Sequence, residues 1–272
     1  MMVPTASLIT CAISLVVCLV LPLLALLIFA AKNRKQGILS GWLLGAAGFV
    51  VTQLLIRVPI LNALAAQDWF VRFSQNHLFL YAFSLAFTAG LFELAGRFAV
   101  AKLMRKNLSR KRSLAAGLGH GGIEAILLVG LTYVNNLVYM TMINAGTFDA
   151  AIAQTAASGV DVSQLELIRT QLVEYHPAMF LLGGFERLLA MTAHTAMTML
   201  VCYGVAFKRV LPCTLVCLLI HTFVDLTVGL TLILPQNTAY FVIYSILIAV
   251  AAASVLIVLR ICRSWKEVPY EK

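Results

Sequence analysis

The chain has 272 residues, 61% of them hydrophobic and only 11% charged. That balance excludes a soluble globular protein of this size and indicates one integral membrane domain over residues 1–272. The net charge of +9 does not indicate a nucleic-acid partner, because the cations lie in short connections between apolar runs, as topology determinants do.

Seven apolar runs, at about 6–31, 39–65, 76–100, 113–143, 177–206, 210–233 and 238–262, are long enough to cross a bilayer as helices. The expected fold is therefore an all-α polytopic bundle of seven transmembrane helices. The first run lacks a basic leader and is too long for a signal peptide, so it is read as a span. Lys32, Arg34 and Lys35 follow it. The second run carries Gly41 and Gly45, a small-xxx-small pair suited to close helix packing, and Arg57.

The third run holds Glu93 and Arg97, four apart and so on one helical face. A basic connection with Lys102, Arg105, Lys106, Arg110, Lys111 and Arg112 leads into the fourth run. There Gly117 and Gly121 repeat the small-residue spacing beside His120 and Glu124. A long connection, about 146–176, contains Asp149, Asp161, Glu166 and Glu174. Its stretch 162–175 has the character of a short amphipathic helix capping the outer surface, with an exposed loop as the alternative.

Pro177 opens the fifth run, which carries Glu186, Arg187 and His194. Lys208 and Arg209 follow. The sixth run holds His221 and Asp225, and the seventh ends among Arg260, Arg263, Lys266 and Lys272. Basic connections after runs 1, 3, 5 and 7 place the N-terminus outside and the C-terminus in the cytoplasm. The expected location is the bacterial cytoplasmic membrane. The six cysteines are scattered through apolar helices and read as small buried hydrophobes.

Each ionisable residue at the centre of a membrane helix costs roughly 2.5–3.5 kcal/mol unless paired or hydrated. Ten lie within these runs: Arg57, Glu93, Arg97, His120, Glu124, Glu186, Arg187, His194, His221 and Asp225. Helix-rise arithmetic sorts them by depth. Glu93, Arg97 and His120 form an inner layer, and Glu124, His194 and His221 a middle one. Arg57, Glu186, Arg187 and Asp225 form an outer layer.

Two imidazoles and a carboxylate at one depth suit water activation and hydrolysis of a peptide bond. In one version Glu124 or Glu93 is the base and no metal takes part. In another, zinc or a similar ion is held by His120, Glu124, His194 and His221. Arg97, Asp225, Glu186 and Arg187 are supporting residues in both versions, and His120 is one in the version without a metal. No cofactor-binding glycine loop is present. The expected partners are a membrane-embedded peptide or protein substrate and the lipid bilayer, with no nucleic acid and the oligomeric state left open.

FELAGR (92–97), GLGHGGIEA (117–125), ERLLAMTAH (186–194) and HTFVD (221–225), in this order, resemble the YhfC family of membrane peptidases. That family looks like a branch of a larger group. The group contains PrsW, the prenyl (CAAX) and bacteriocin-processing proteases, and the anterior-pharynx-defective subunit of gamma-secretase. The resemblance places the group's glutamate–arginine motif on Glu93 and Arg97. It places the helix-4 glutamate on Glu124, the later histidines on His194 and His221, and the following acidic or amide residue on Asp225. It implies an intramembrane protease. One position departs: the prenyl proteases have two adjacent glutamates in the first motif, and Phe92 stands where the first would be. Either Glu124 or Glu93 then serves as base, or the chain is a non-catalytic scaffold like the gamma-secretase subunit. A small transporter ranks below both, because the two halves show no symmetry.

Overall fold

A computed structural model describes residues 2–34, 36–159 and 161–265. Lys35, Lys266 and Lys272 of the basic clusters lie outside the described residues. Among the described residues every regular element is helical. Seven helices are long and apolar enough to cross a membrane: Thr5–Lys32, Ile38–Ala65, Leu78–Leu103, Arg110–Asn144, Pro177–Ala206, Val210–Thr231 and Gln236–Ser264. A helix satisfies its own backbone donors and acceptors, which hydrocarbon cannot do. These are called spans 1 to 7 below.

The connections hold more structure than their sequence suggested. Asp68–Asn76 is a helix between spans 2 and 3. The long connection folds into two helices, Phe148–Ala157 and Ser163–Glu174, only the second of which was expected. Both segments are too short and too polar to register as spans. Asp149 and Arg169 join the two helices at 3.0 Å in an exposed ion pair, a contact of small energetic weight.

The chain forms two compact units. One comprises Met1–Pro22 and Ala125–Leu188, the other Leu23–Glu124 and Leu189–Lys272. In the first unit, Cys11, Tyr133, Met140, Phe148, Leu172 and Phe180 pack into a common core. The Phe180 carbonyl accepts from Ser14 Oγ at 2.7 Å and from Tyr133 Oη at 2.6 Å. Asn144 clasps Val3 through both backbone groups. Two π-helical stretches, Val16–Val20 and Ala125–Gly130, meet one another.

In the second unit span 2 lies along the start of span 4, and span 3 along span 6. Small residues set the approach. A Cβ on Gly45 would strike the Ala116 carbonyl, and one on Gly119 the Trp42 carbonyl. A Cβ on Gly41 would come within 2.8 Å of the Arg112 carbonyl. On the opposite side of span 4, Gly117 and Gly121 face Thr195 and Met191 of span 5. Both small-xxx-small pairs thus bring backbones together inside the chain, where larger side chains would hold them apart. Val50–Arg57 of span 2 is π-helical, which re-aims two polar side chains toward span 3.

Candidate metal centre

Glu93 lies at the meeting point of five spans in the second unit. It projects from span 3 and is 3% exposed. Its Oε1 accepts from Gln53 Nε2 of span 2 at 2.6 Å. Its Oε2 accepts from Arg97 Nη2, one turn along the same helix, at 2.8 Å. The same oxygen lies 2.9 Å from His120 Nε2 of span 4. It lies 3.5 Å from both His194 Nδ1 of span 5 and His221 Nδ1 of span 6.

Arg97 is the cationic counterpart. It is 1% exposed, and its Nη2 sits 2.7 Å from His194 Nδ1 while Nη1 sits 3.5 Å from His221 Nδ1. A guanidinium only donates, so His194 Nδ1 must accept. The proton of a neutral His194 is then on Nε2, which lies 3.0 Å from Glu124 Oε2. His221 Nε2 in turn lies 3.2 Å from Asp225 Oδ2. The Asp225 side chain is 37% exposed, against 3% for His221, so Asp225 is where the network nears the surface of this unit. The imidazoles of His120 and His194 stack with centroids 5.4 Å apart, and Phe49 closes on His120 edge-on.

One ligand atom from each of Glu93, His120, Glu124 and His194 lies within 4.8 Å of the other three, and all four residues are buried. Two imidazoles and two carboxylates are a donor set suited to zinc and similar divalent ions. The donors therefore fit a metal of that kind once the ion replaces Arg97 at His194 Nδ1, the nitrogen of that ring without a proton. Arg97 and Gln53 stand directly behind them as hydrogen-bonding support, the arrangement that orients metal ligands elsewhere.

Sequence depth separated Glu93, Arg97 and His120 from Glu124, His194 and His221; the structure brings all six together. Rise arithmetic places Cα atoms, whereas long Glu and Arg side chains reach across a full turn. His221 approaches Glu93 and Arg97, while the four-donor set contains Glu93 in its place. Glu186 and Arg187 bond to each other in the first unit, with Arg187 Nε donating to Glu186 Oε2 at 3.0 Å. Arg57 stands one step behind the cluster. It donates to the Leu85 carbonyl at 2.7 Å, and its Nη1 lies 3.4 Å from Gln53 Oε1.

Gln53 escaped a search based on charge. The available signal was its position: a glutamine in an apolar run, four residues before Arg57, the same spacing as Glu93 and Arg97.

Residues 17–251 match the model of a family described as YhfC intramembrane metalloprotease. The matched stretch includes every member of the cluster. The chain is also 32% identical over 180 residues to the protein named "Uncharacterized membrane protein YhfC" of Bacillus subtilis (strain 168), covering 65% of this chain and 68% of the relative. No solved structure matches. Seven apolar spans, a buried glutamate–histidine cluster and the match across most of the sequence lead to one assignment: the chain belongs to the YhfC intramembrane metalloprotease family.

Proposed function

We propose that this protein is a working intramembrane protease, hydrolysing a peptide bond of a membrane-embedded substrate at the Glu93–His194 cluster, with its basic end toward the cytoplasm. The observation carrying this reading is the gathering of four buried ligand atoms, two nitrogens and two carboxylate oxygens, within 4.8 Å of one another. Glu93, His120 and His194 would hold a divalent ion, with Glu124 as the fourth donor beside it, and the ion would supply Lewis acidity at the scissile carbonyl and at water.

The protein's own groups divide the remaining work. Glu93 is already loaded with donors on both oxygens, from Gln53 on one side and Arg97 and His120 on the other. It is a holding residue, and an ion at Oε2 would take the place of its contact with His120. Glu124 meets the cluster through His194 Nε2. It takes the proton from water and passes it to the leaving amine. Arg97 offsets the charge of Glu93 and holds His194 in one tautomer. His221, steadied by Asp225 through Nε2, places its Nδ1 edge 3.5 Å from the Glu93 oxygen and lines the reacting space.

A second reading, a non-catalytic scaffold, has one observation in its favour: Arg97 joins Glu93 and His194 within the protein's own network. One experiment separates the two. New N-termini are identified in membranes from cells expressing the wild type or Glu124→Gln. A protease gives new termini within apolar segments only with the wild type. Identical sets from equally folded proteins would sink this proposal and leave the scaffold.

A further inference from the structure

Spans 5, 6 and 7 leave a groove of about 330 Å³ at the basic end, away from the glutamate–histidine cluster. Leu200, Val216 and Ile257 give it apolar walls, and Tyr203 contributes to the lining. Arg209 and Arg260 line it as well, and both are exposed. Among the described residues neither guanidinium has an acidic partner. Arg209 immediately precedes the helix that begins at Val210, and Arg260 lies one turn before the helix end at Ser264. Both charges therefore stand at the depth of lipid headgroups, with apolar walls continuing beneath them.

The turn holding Arg209 is fixed. Its N–H donates to the Gly204 carbonyl at 2.8 Å, and its own carbonyl accepts from Cys213 N at 3.3 Å. Lys208 takes a left-handed conformation to close the turn. A Cβ on Gly204 would come within 2.8 Å of Cys213 Cβ, so the two helices start in tight contact. One cation of the pair is thus held in place by backbone bonds that its side chain does not make.

A free inorganic anion gains nothing from apolar walls, and a lipid without net charge gains less than an anionic one from two cations at the groove. The feature satisfying both is an anionic phosphate joined to a hydrocarbon chain. We infer that the groove between spans 5, 6 and 7 is a binding site for one anionic diacyl phospholipid, its phosphate held between Arg209 and Arg260 and one acyl chain along Leu200, Val216 and Ile257. The volume is at the small end for a ligand site and suits one chain segment rather than a whole lipid. The second chain runs outside, over the exposed Leu211 and Leu215 of span 6.

Native mass spectrometry of the full chain tests this. The protein is released from micelles holding equal amounts of phosphatidylglycerol and phosphatidylcholine with identical acyl chains. The wild type is expected to retain one phosphatidylglycerol in preference. Arg209→Gln with Arg260→Gln should weaken that retention roughly 30-fold, from two lost surface cations. Lys32→Gln with Arg34→Gln removes the same charge away from the groove and should leave retention unchanged. Val216→Trp fills the groove and should lower retention with both arginines present. If the double arginine variant does not elute as a folded monodisperse species, Arg260→Gln alone carries the test, with a loss of roughly fivefold expected. Equal retention of the two lipids by the wild type overturns the inference. So does unchanged retention in the arginine variants, which would leave the groove to a protein partner. An equal loss in the charge-matched control also overturns it, as that is diffuse attraction to the surface.

Discussion

Arg97 Nη2 lies 2.7 Å from His194 Nδ1, and this contact sets which nitrogen of His194 faces Glu124. Arg97→Met should therefore act twice. It leaves the buried Glu93 carboxylate without its cation, a loss of about 3–5 kcal/mol in folding stability. It also frees His194 to exchange tautomers. Nitrogen NMR of labelled histidine reads the second effect: a single Nε2–H form in the wild type, a mixture in the variant. Arg97→Lys should recover part of the stability and little of the tautomer preference, because a point charge lacks the planar fork. A single unchanged tautomer in both variants would refute the role.

Gln53 fastens Glu93 Oε1 at 2.6 Å and so leaves Oε2 to face the histidines. Gln53→Leu should cost about 1.5–3 kcal/mol, the worth of a hydrogen bond to a charged group. It should also weaken zinc binding roughly 10- to 100-fold, as loss of a ligand's orienting partner does. Equilibrium dialysis against zinc measures this. Gln53→Leu binding zinc like the wild type would remove Gln53 from the site.

Zinc addition should raise the melting temperature of the wild type. At 100 times its dissociation constant, a ligand bound only by the folded state adds about 2.7 kcal/mol. His120→Ala and His194→Ala should abolish the shift, and a chelator should reverse it in the wild type. His176→Ala lies outside the cluster and should shift like the wild type. A zinc shift that survives both cluster substitutions would place the metal elsewhere.

Glu124→Gln keeps the side chain's shape and one hydrogen-bonding oxygen but cannot take a proton. Proteolysis should fall roughly 10²- to 10⁴-fold, the usual worth of a general base, with the melting temperature nearly unchanged. Glu93→Gln should instead lower stability, because it leaves Arg97 buried without its anion. If both variants lose stability equally and Glu124→Gln keeps its activity, the division of roles between the two glutamates is wrong.

Gly119→Ala sets a Cβ against the Trp42 carbonyl, a backbone atom that cannot step aside. Spans 2 and 4 must then part, at about 1–3 kcal/mol. Gly130→Ala meets nothing closer than 3.4 Å and should stay within about 0.5 kcal/mol. Thermal unfolding in micelles compares them, and equal losses would argue against close packing as the reason for Gly119.

The seven spans were legible because each is a long apolar run, a signal that the bilayer makes nearly unmistakable. The acidic and basic members of the site were legible for a related reason: Glu93, Arg97, Glu124 and His194 cost too much in hydrocarbon to be there without partners. Gln53 carries no charge and so raised no such alarm. The depth layers misled because they placed Cα atoms rather than the ends of long side chains. Span 2 is π-helical through Gln53 and Arg57, and Glu93 reaches His194 and His221 by side-chain length rather than by level. Glu186 and Arg187 join each other as adjacent side chains of span 5.

The i, i+4 pairing of Glu93 with Arg97 bears on how the protein is made. Span 3 leaves the ribosome before spans 4, 5 and 6 have entered the bilayer. Its acid would then face lipid with no distant partner to receive it. By carrying its own counter-charge one turn away, the segment can enter the bilayer as a nearly neutral rod. The later helices then arrive at a carboxylate already in place.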